Sequence, residues 1–173
     1  MRSDRSAFLV TSFLTMDPIE IIKNDHRTVE ALFSEYESLG DRAYEGKQRI
    51  VDQLIKELTL HAEMEETIAY PAFMEAFTKE DDKMVAEAYI EHTGAKRLME
   101  DLQGLSPEDI EFDATVKVLK ENIEHHVKEE EEELLPTAEK EVPEDVLEEI
   151  GKDMMAFKDA AADEEEDAEL EAL

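Results

Sequence analysis

Apolar positions recur at intervals of three and four residues along most of the chain, the period of helices that bury one face. Asp17-Pro18-Ile19-Glu20 opens the first: Asp can cap, Pro suits the first helical position, and Glu20 completes the spacing of a capping box. A stripe of Ile19, Ile22, Val29, Leu32, Phe33 and Tyr36 then predicts a helix to about Leu39, with Gly40 as its stop. A second helix is predicted to begin between Arg42 and Lys47, to carry Ile50, Leu54, Leu58, Ile68 and Ala72 on one side, and to kink near Pro71. Thr78 and Asp81 are spaced to cap a third, which presents Val85, Tyr89, Met99 and Leu102 and stops near Gly104. Ser106-Pro107-Glu108-Asp109 starts a long fourth through Val116, Leu119, Ile123 and Leu134. Beyond Val142-Pro143, the residues Val146, Ile150, Met154 and Phe157 predict a shorter fifth helix packed on the outside of a bundle. The acidic tail that follows is expected to be a solvated, frayed terminus.

Composition narrows this to an all-α fold. Only 5 Gly and 5 Pro occur in 173 residues, a balance that favours long helices over strands and their turns. With 42% hydrophobic residues the chain can build one core but not comfortably two. The expected division is an N-terminal extension at 1–16, a four-helix bundle at 17–140, and a C-terminal helix with its acidic tail at 141–173. Arg2, Arg5 and the apolar run from Ala7 to Leu14 faintly imitate a secretory signal but lack a small-residue cleavage site, so Met16 is read as an alternative start. The net charge of -30 would repel a phosphate backbone or an anionic membrane surface, so neither is an expected partner. No stretch approaches the roughly 20 apolar residues of a membrane span, and a soluble, cytoplasmic protein is expected.

There are no cysteines, so any metal must be held by nitrogen and oxygen. Four of the 5 histidines fall one to each long helix, and each continues an apolar stripe. His26 lies with Ile22 and Val29, His61 with Leu54, Leu58 and Ile68, His92 with Val85 and Met99, His126 with Leu119 and Ile123. A bundle turns those stripes inward, and four neutral imidazoles in one core would be costly without a metal to satisfy them. An internal repeat adds carboxylates. His61 with Glu65 runs on to Pro71, and His126 with Glu130 runs on to Pro136, both as H-x3-E-x5-P, so each pair stacks on one helical face. His125 with Glu129 fits the same spacing, but the proline offset and the apolar stripe favour His126, leaving His125 exposed or supporting. Glu63, Glu66, Glu129, Glu131, Glu132 and Glu133 read as a solvated face, Lys96 as a surface lysine and Tyr89 as a core-edge tyrosine.

The order His26, His61-x3-Glu65, His92, His126-x3-Glu130, set in IIKNDHRTVEALF, LHAEMEETIAYPAF, EHTGAK and HHVKEEEEELLP, resembles the hemerythrin-like, HHE cation-binding family over residues 17 to about 140. The resemblance implies an antiparallel four-helix bundle around two iron ions, oxo- or hydroxo-bridged. By that analogy His26 and His61 serve one iron, His92 and His126 the other, and Glu65 and Glu130 span both. About twelve octahedral positions, less the donors named and the bridge, leave roughly two open. Oxygen-carrying hemerythrins usually place a second histidine one turn from the one on the third helix; here those neighbours of His92 are Ala88 and Lys96. The resemblance therefore implies a centre that binds or reacts with dioxygen, peroxide or nitric oxide, or an iron-handling or iron-responsive module without turnover. Ferritin-like oxidases are disfavoured, because they place Glu before His at i, i+3 on two helices.

Overall fold

The computed structural model describes residues 17–171; the expectations for the N-terminal extension lie outside the described residues. The described residues form helices joined by short turns, without a strand. Helix α1 (Pro18–Ser38) is followed by α2 (Tyr44–Met64), which passes through a π-turn, π1 (Glu65–Ala69), into α3 (Tyr70–Ala76). Helix α4 (Asp82–Gln103) precedes α5 (Ile110–Glu129), which passes through a second π-turn, π2 (Glu130–Leu134), into α6 (Leu135–Glu141); α7 (Glu144–Glu171) closes the chain.

The local signals work with small revisions. Asp17 caps α1 by accepting from the Ile19 amide at 2.9 Å, while Glu20 turns to Lys23 instead of completing a capping box. Thr78 and Asp81 do bond each other, but residues 79–81 form a turn and α4 begins only at Asp82. Ser106 and Asp109 likewise bond across a turn, at 2.7 Å, before α5. The tail expected to fray continues α7 as helix to Glu171, consistent with the high helix propensity of its Ala, Glu and Leu residues.

The kink expected at Pro71 takes a more specific form. Proline lacks an amide hydrogen and its ring collides with the carbonyl four residues back, so the regular ladder cannot run through it. The chain adjusts upstream: the Tyr70 amide bonds Glu65 O, five residues back, and before Pro136 the Leu135 amide bonds Glu130 O in the same way. Each π-turn thus begins at the glutamate of the repeated motif, and both glutamates are buried.

Two apolar clusters fill the bundle and prove its up-down course. Starting from α1, the chain goes from Ile19 and Ile22 in one cluster to Val29, Phe33 and Tyr36 in the other; α2 returns from Ile50 and Leu54 to Met64 and Tyr70. Helix α4 then leads from Val85 to Leu102, and α5 from Phe112 and Leu119 towards Leu134 in π2. The four histidines and two glutamates lie in the layer between the clusters. Helix α7 packs across α1, α2 and π1 through Ile150 and Met154, as its stripe predicts.

Lys47 is the buried polar side chain outside that layer, among the described residues. Its ammonium meets both oxygens of Asp113 at 2.7 and 2.8 Å, and Tyr36 donates to the same carboxylate at 2.5 Å. Burial raises the Asp113 carboxyl, but the bonds from Lys47 and Tyr36 and the charge of Lys47 together outweigh this and hold it below the ordinary range. A depressed folded-state value stabilises the fold above the unfolded value of about 3.9 and loses that contribution as pH falls through it. Asp113→Asn should therefore cost about 1–2 kcal/mol at pH 7, modest because the carboxylate is half exposed, and should remove that part of the acid sensitivity. Lys47→Met should be near neutral. Urea melts of the three proteins at pH 7 and pH 3.5 measure both effects.

Candidate metal centre

The six side chains singled out by spacing come together. His26, His61, His92 and His126 are buried, as are Glu65 and Glu130, at 0% and 1% exposed. Each imidazole turns Nε2 inward to a glutamate: His26 to Glu130 at 3.2 Å, His61 to Glu65 at 3.2 Å, His92 to Glu65 at 3.3 Å and His126 to Glu130 at 3.5 Å. Two ligand groups result, one of His26, His61, Glu65 and Glu130 and one of Glu65, His92 and His126, with donor atoms within 4.8 Å of one another. Glu65 belongs to both.

Each ring's outer nitrogen faces a carboxylate. Glu131 meets His26 Nδ1 at 2.8 Å, Glu66 meets His92 Nδ1 at 2.9 Å and Glu91 meets His126 Nδ1 at 2.8 Å, while Asp25 faces His61 Nδ1 at 3.6 Å, just beyond hydrogen-bonding reach. The arrangement repeats in two halves. The residue before each histidine of α1 and α4 supports the histidine of the next helix, and the residue after each buried glutamate supports a histidine of α4 or α1. At His26, His92 and His126 carboxylates so placed fix the tautomer with hydrogen on Nδ1 and leave the Nε2 lone pair facing inward.

That tautomer sets the donor set's chemistry. The Nε2 atoms of His92 and His126 stand 3.1 Å apart, and all four inward lone pairs point at carboxylate oxygens, an acceptor-to-acceptor arrangement that requires a cation or protons between them. Neither ring nitrogen of His61 has a hydrogen-bond partner, nor does Glu65 Oε1, though all are buried. Burial would lower the pKa of His126, yet the surrounding carboxylates Glu130, Glu91 and Glu65 raise it to about 9. The residues fit metal cations that accept nitrogen and oxygen donors.

Sequence reasoning missed part of the site. Glu66 and Glu131, read as solvated, are neither exposed nor inward ligands; the wider π-turns bring two successive residues of each motif to bear on the histidines. Lys96 reaches both oxygens of Glu66 at 2.7 Å, and Tyr89 donates to the Glu66 carbonyl at 3.1 Å, so both residues support His92 through Glu66. Bonds from Lys96 and His92 outweigh burial and hold the Glu66 carboxyl low. Lys158 of α7 pairs with Asp25, and the Asp25 carboxyl is likewise held low, since His61 and Lys158 overcome its burial. Tyr70, overlooked because it lies in an apolar run, donates to Glu130 at 2.6 Å and to Glu65 at 3.1 Å. Burial and those two carboxylates push its phenol well up, so it stays a neutral donor. Leu135 stands at the matching place in the second motif, so the tyrosine breaks the pseudo-symmetry. Of the two neighbours of His92, Ala88 is buried and points inward, whereas Lys96 turns to Glu66.

With fold and centre described, comparison with known proteins defines the class. Residues 17–138 match the Hemerythrin HHE cation binding domain, and the chain belongs to that family. It is 36% identical over 112 residues to a DNA nickase of Nostoc sp. (strain PCC 7120 / SAG 25.82 / UTEX 2576), covering 65% of this chain and 30% of that protein. It is 27% identical over 126 residues to an uncharacterized hemerythrin-like protein of Schizosaccharomyces pombe, covering 73% of this chain and 61% of that protein. The chain thus spans less than two thirds of either relative. The crystal structure of a Hemerythrin HHE cation binding domain-containing protein from Mycobacterium kansasii superposes with a TM-score of 0.70 at 24% identity, over 84% of this chain and 90% of that one, and shows the shared fold.

The adjacent histidines provide a sharp test of register. His126→Ala should lose most bound metal, whereas His125→Ala, altering a side chain 60% exposed, should retain it. Glu66→Gln should weaken metal affinity by about 10-fold or more while leaving helicity unchanged. Metal analysis after dialysis, beside circular dichroism, measures all three.

Proposed function

We propose that the chain is a cytoplasmic non-haem di-iron protein whose centre binds or reacts with dioxygen, peroxide or nitric oxide. The observation that carries this reading is the convergence of four inward Nε2 atoms and two buried glutamates beside an apolar chamber. His26 and His61 would hold one iron and His92 and His126 the other, with Glu65 and Glu130 shared and an oxo or hydroxo bridge completing the pair. Such a pair supplies Lewis acidity and redox equivalents to a small ligand.

The chain's own residues supply the rest. On the side of the histidines towards Val29, Leu58, Ala95, Met99 and Val127 lies a chamber of about 20 Å³, room for one small guest where a single water needs roughly 10–15 Å³. Its apolar walls favour a neutral diatomic over a hydrated ion and exclude bulk water. Tyr70, at the opposite side of the layer, holds a proton within 2.6 Å of Glu130. The nickase relative does not redirect this reading, because only 30% of that protein is matched and a net charge of -30 opposes contact with nucleic-acid phosphates.

An iron-responsive regulatory role is supported by a separate observation. Lys158 ties α7 to Asp25, which faces His61, so loading of the centre and docking of the last helix share one carboxylate.

Protein purified without added metal should contain about two irons per chain and show near-ultraviolet oxo-to-iron charge-transfer bands. Absence of iron after anaerobic reconstitution with ferrous salt would refute the reading. Ala95→Leu should fill the chamber, keep the iron and slow nitric oxide binding by about 10-fold or more in stopped-flow traces, at a stability cost of about 1–3 kcal/mol. Parallel assays with dioxygen, peroxide and nitric oxide separate carriage from turnover.

A further inference from the structure

A second group of donors lies outside the buried layer. His125 Nε2 stands 3.4 Å from Glu91 Oε1 on α4 and 3.2 Å from Glu129 Oε1 one turn along α5, and the three donor atoms lie within 4.8 Å of one another. Glu91 is shared between this group and the centre: its other oxygen accepts from Nδ1 of His126 at 2.8 Å. Beside the group, between α4 and π2, runs a cleft of about 60 Å³ lined by Glu87, Glu91, Glu129, Glu130 and Glu133 with Met84, Ala88 and Leu134. No basic residue lines it. Exposure falls inward, from Glu87 and Glu133 at the surface, through the partly covered Glu91 and Glu129, to Glu130, buried in the central layer.

We propose that Glu91, His125 and Glu129 form an outer divalent-cation site through which ferrous iron enters the buried centre. A hydrated dication cannot cross the apolar chamber on the other side of the histidines without losing its water uncompensated. The acidic cleft offers oxygen donors at each depth and has room for an ion with part of its hydration shell. Histidine with two carboxylates suits a borderline dication such as ferrous iron and is too sparse to retain it. The charge of -30 concentrates cations near the surface, and the cleft ends at a carboxylate of the centre itself. Gas and metal therefore reach the layer from opposite ends of the bundle. The entry role rests on the reading of the buried layer as a metal centre; the outer site does not.

Two measurements on the full chain test this. In a titration of metal-free protein at pH 7.5 with zinc, a diamagnetic dication that strongly shifts the imidazoles it binds, the His125 signals should shift before those of the four buried histidines. A shift of the buried histidines without His125 would overturn the outer site and leave the centre standing. A shift of His125 alone would support the outer site, and it would overturn both the entry role and the reading of the centre; no shift at all would refute both sites. In stopped-flow loading with ferrous iron, His125→Ala and Glu129→Gln should each slow uptake about 10-fold while reaching the wild-type iron content. Glu108→Gln, an exposed acid remote from the cleft, should load at the wild-type rate. Uptake by both cleft variants within twofold of wild type would overturn the entry role, as would equal slowing in the Glu108 variant, which would reduce the effect to overall charge.

Discussion

Two carboxylates buried in the middle of a helical bundle are the constraint around which this structure is organised. Glu65 and Glu130 are all but inaccessible to water, and a buried carboxylate without compensating positive charge costs several kcal/mol. Four imidazoles surround them, each turned by an acid on its far side. The ring of outer acids helps set the tautomers and keeps the inner lone pairs directed at the space between the glutamates. The polar layer separates two apolar clusters that would otherwise merge, so packing above and below it clamps the histidines in register.

The π-turns connect this electrostatics to the backbone. A proline six residues beyond each glutamate disturbs the hydrogen-bond ladder, and the widened turn that accommodates it begins at the glutamate itself. Successive acids then serve the same centre, the first facing inward and the second bonding a neighbouring imidazole. The halves are alike in backbone and in these contacts, but differ where Tyr70 answers to Leu135. A hydroxyl reaching both buried glutamates from one half only makes the two donor groups chemically unequal.

The environment along the bundle axis is unequal as well. Towards Leu58, Ala95 and Met99 the layer meets an apolar chamber, and towards Glu91 and Glu133 it meets an acidic cleft. Both surroundings lie within residues 17–138, the span of the cation-binding domain. The C-terminal helix adds a further contact, since Lys158 anchors it to the carboxylate facing His61.

The antiparallel order was implied by the family resemblance, whereas the helical class and the six inward residues were legible in the sequence because each depends on short-range periodicity: a histidine on an apolar stripe must face whatever the stripe buries. The choice of His126 over its neighbour followed from the same rule, and His125 is indeed exposed. What the sequence could not display was the role of residues next to those positions. Asp25, Glu66, Glu91 and Glu131 look like four more acids in a chain holding 48, and only packing of one helix against another brings each to a histidine far away in sequence. Tyr70 was hidden for the complementary reason, as an aromatic in an apolar run. Helical phase is local and can be read along one chain; the distance between side chains on different helices is set by tertiary packing and had to be seen in the fold.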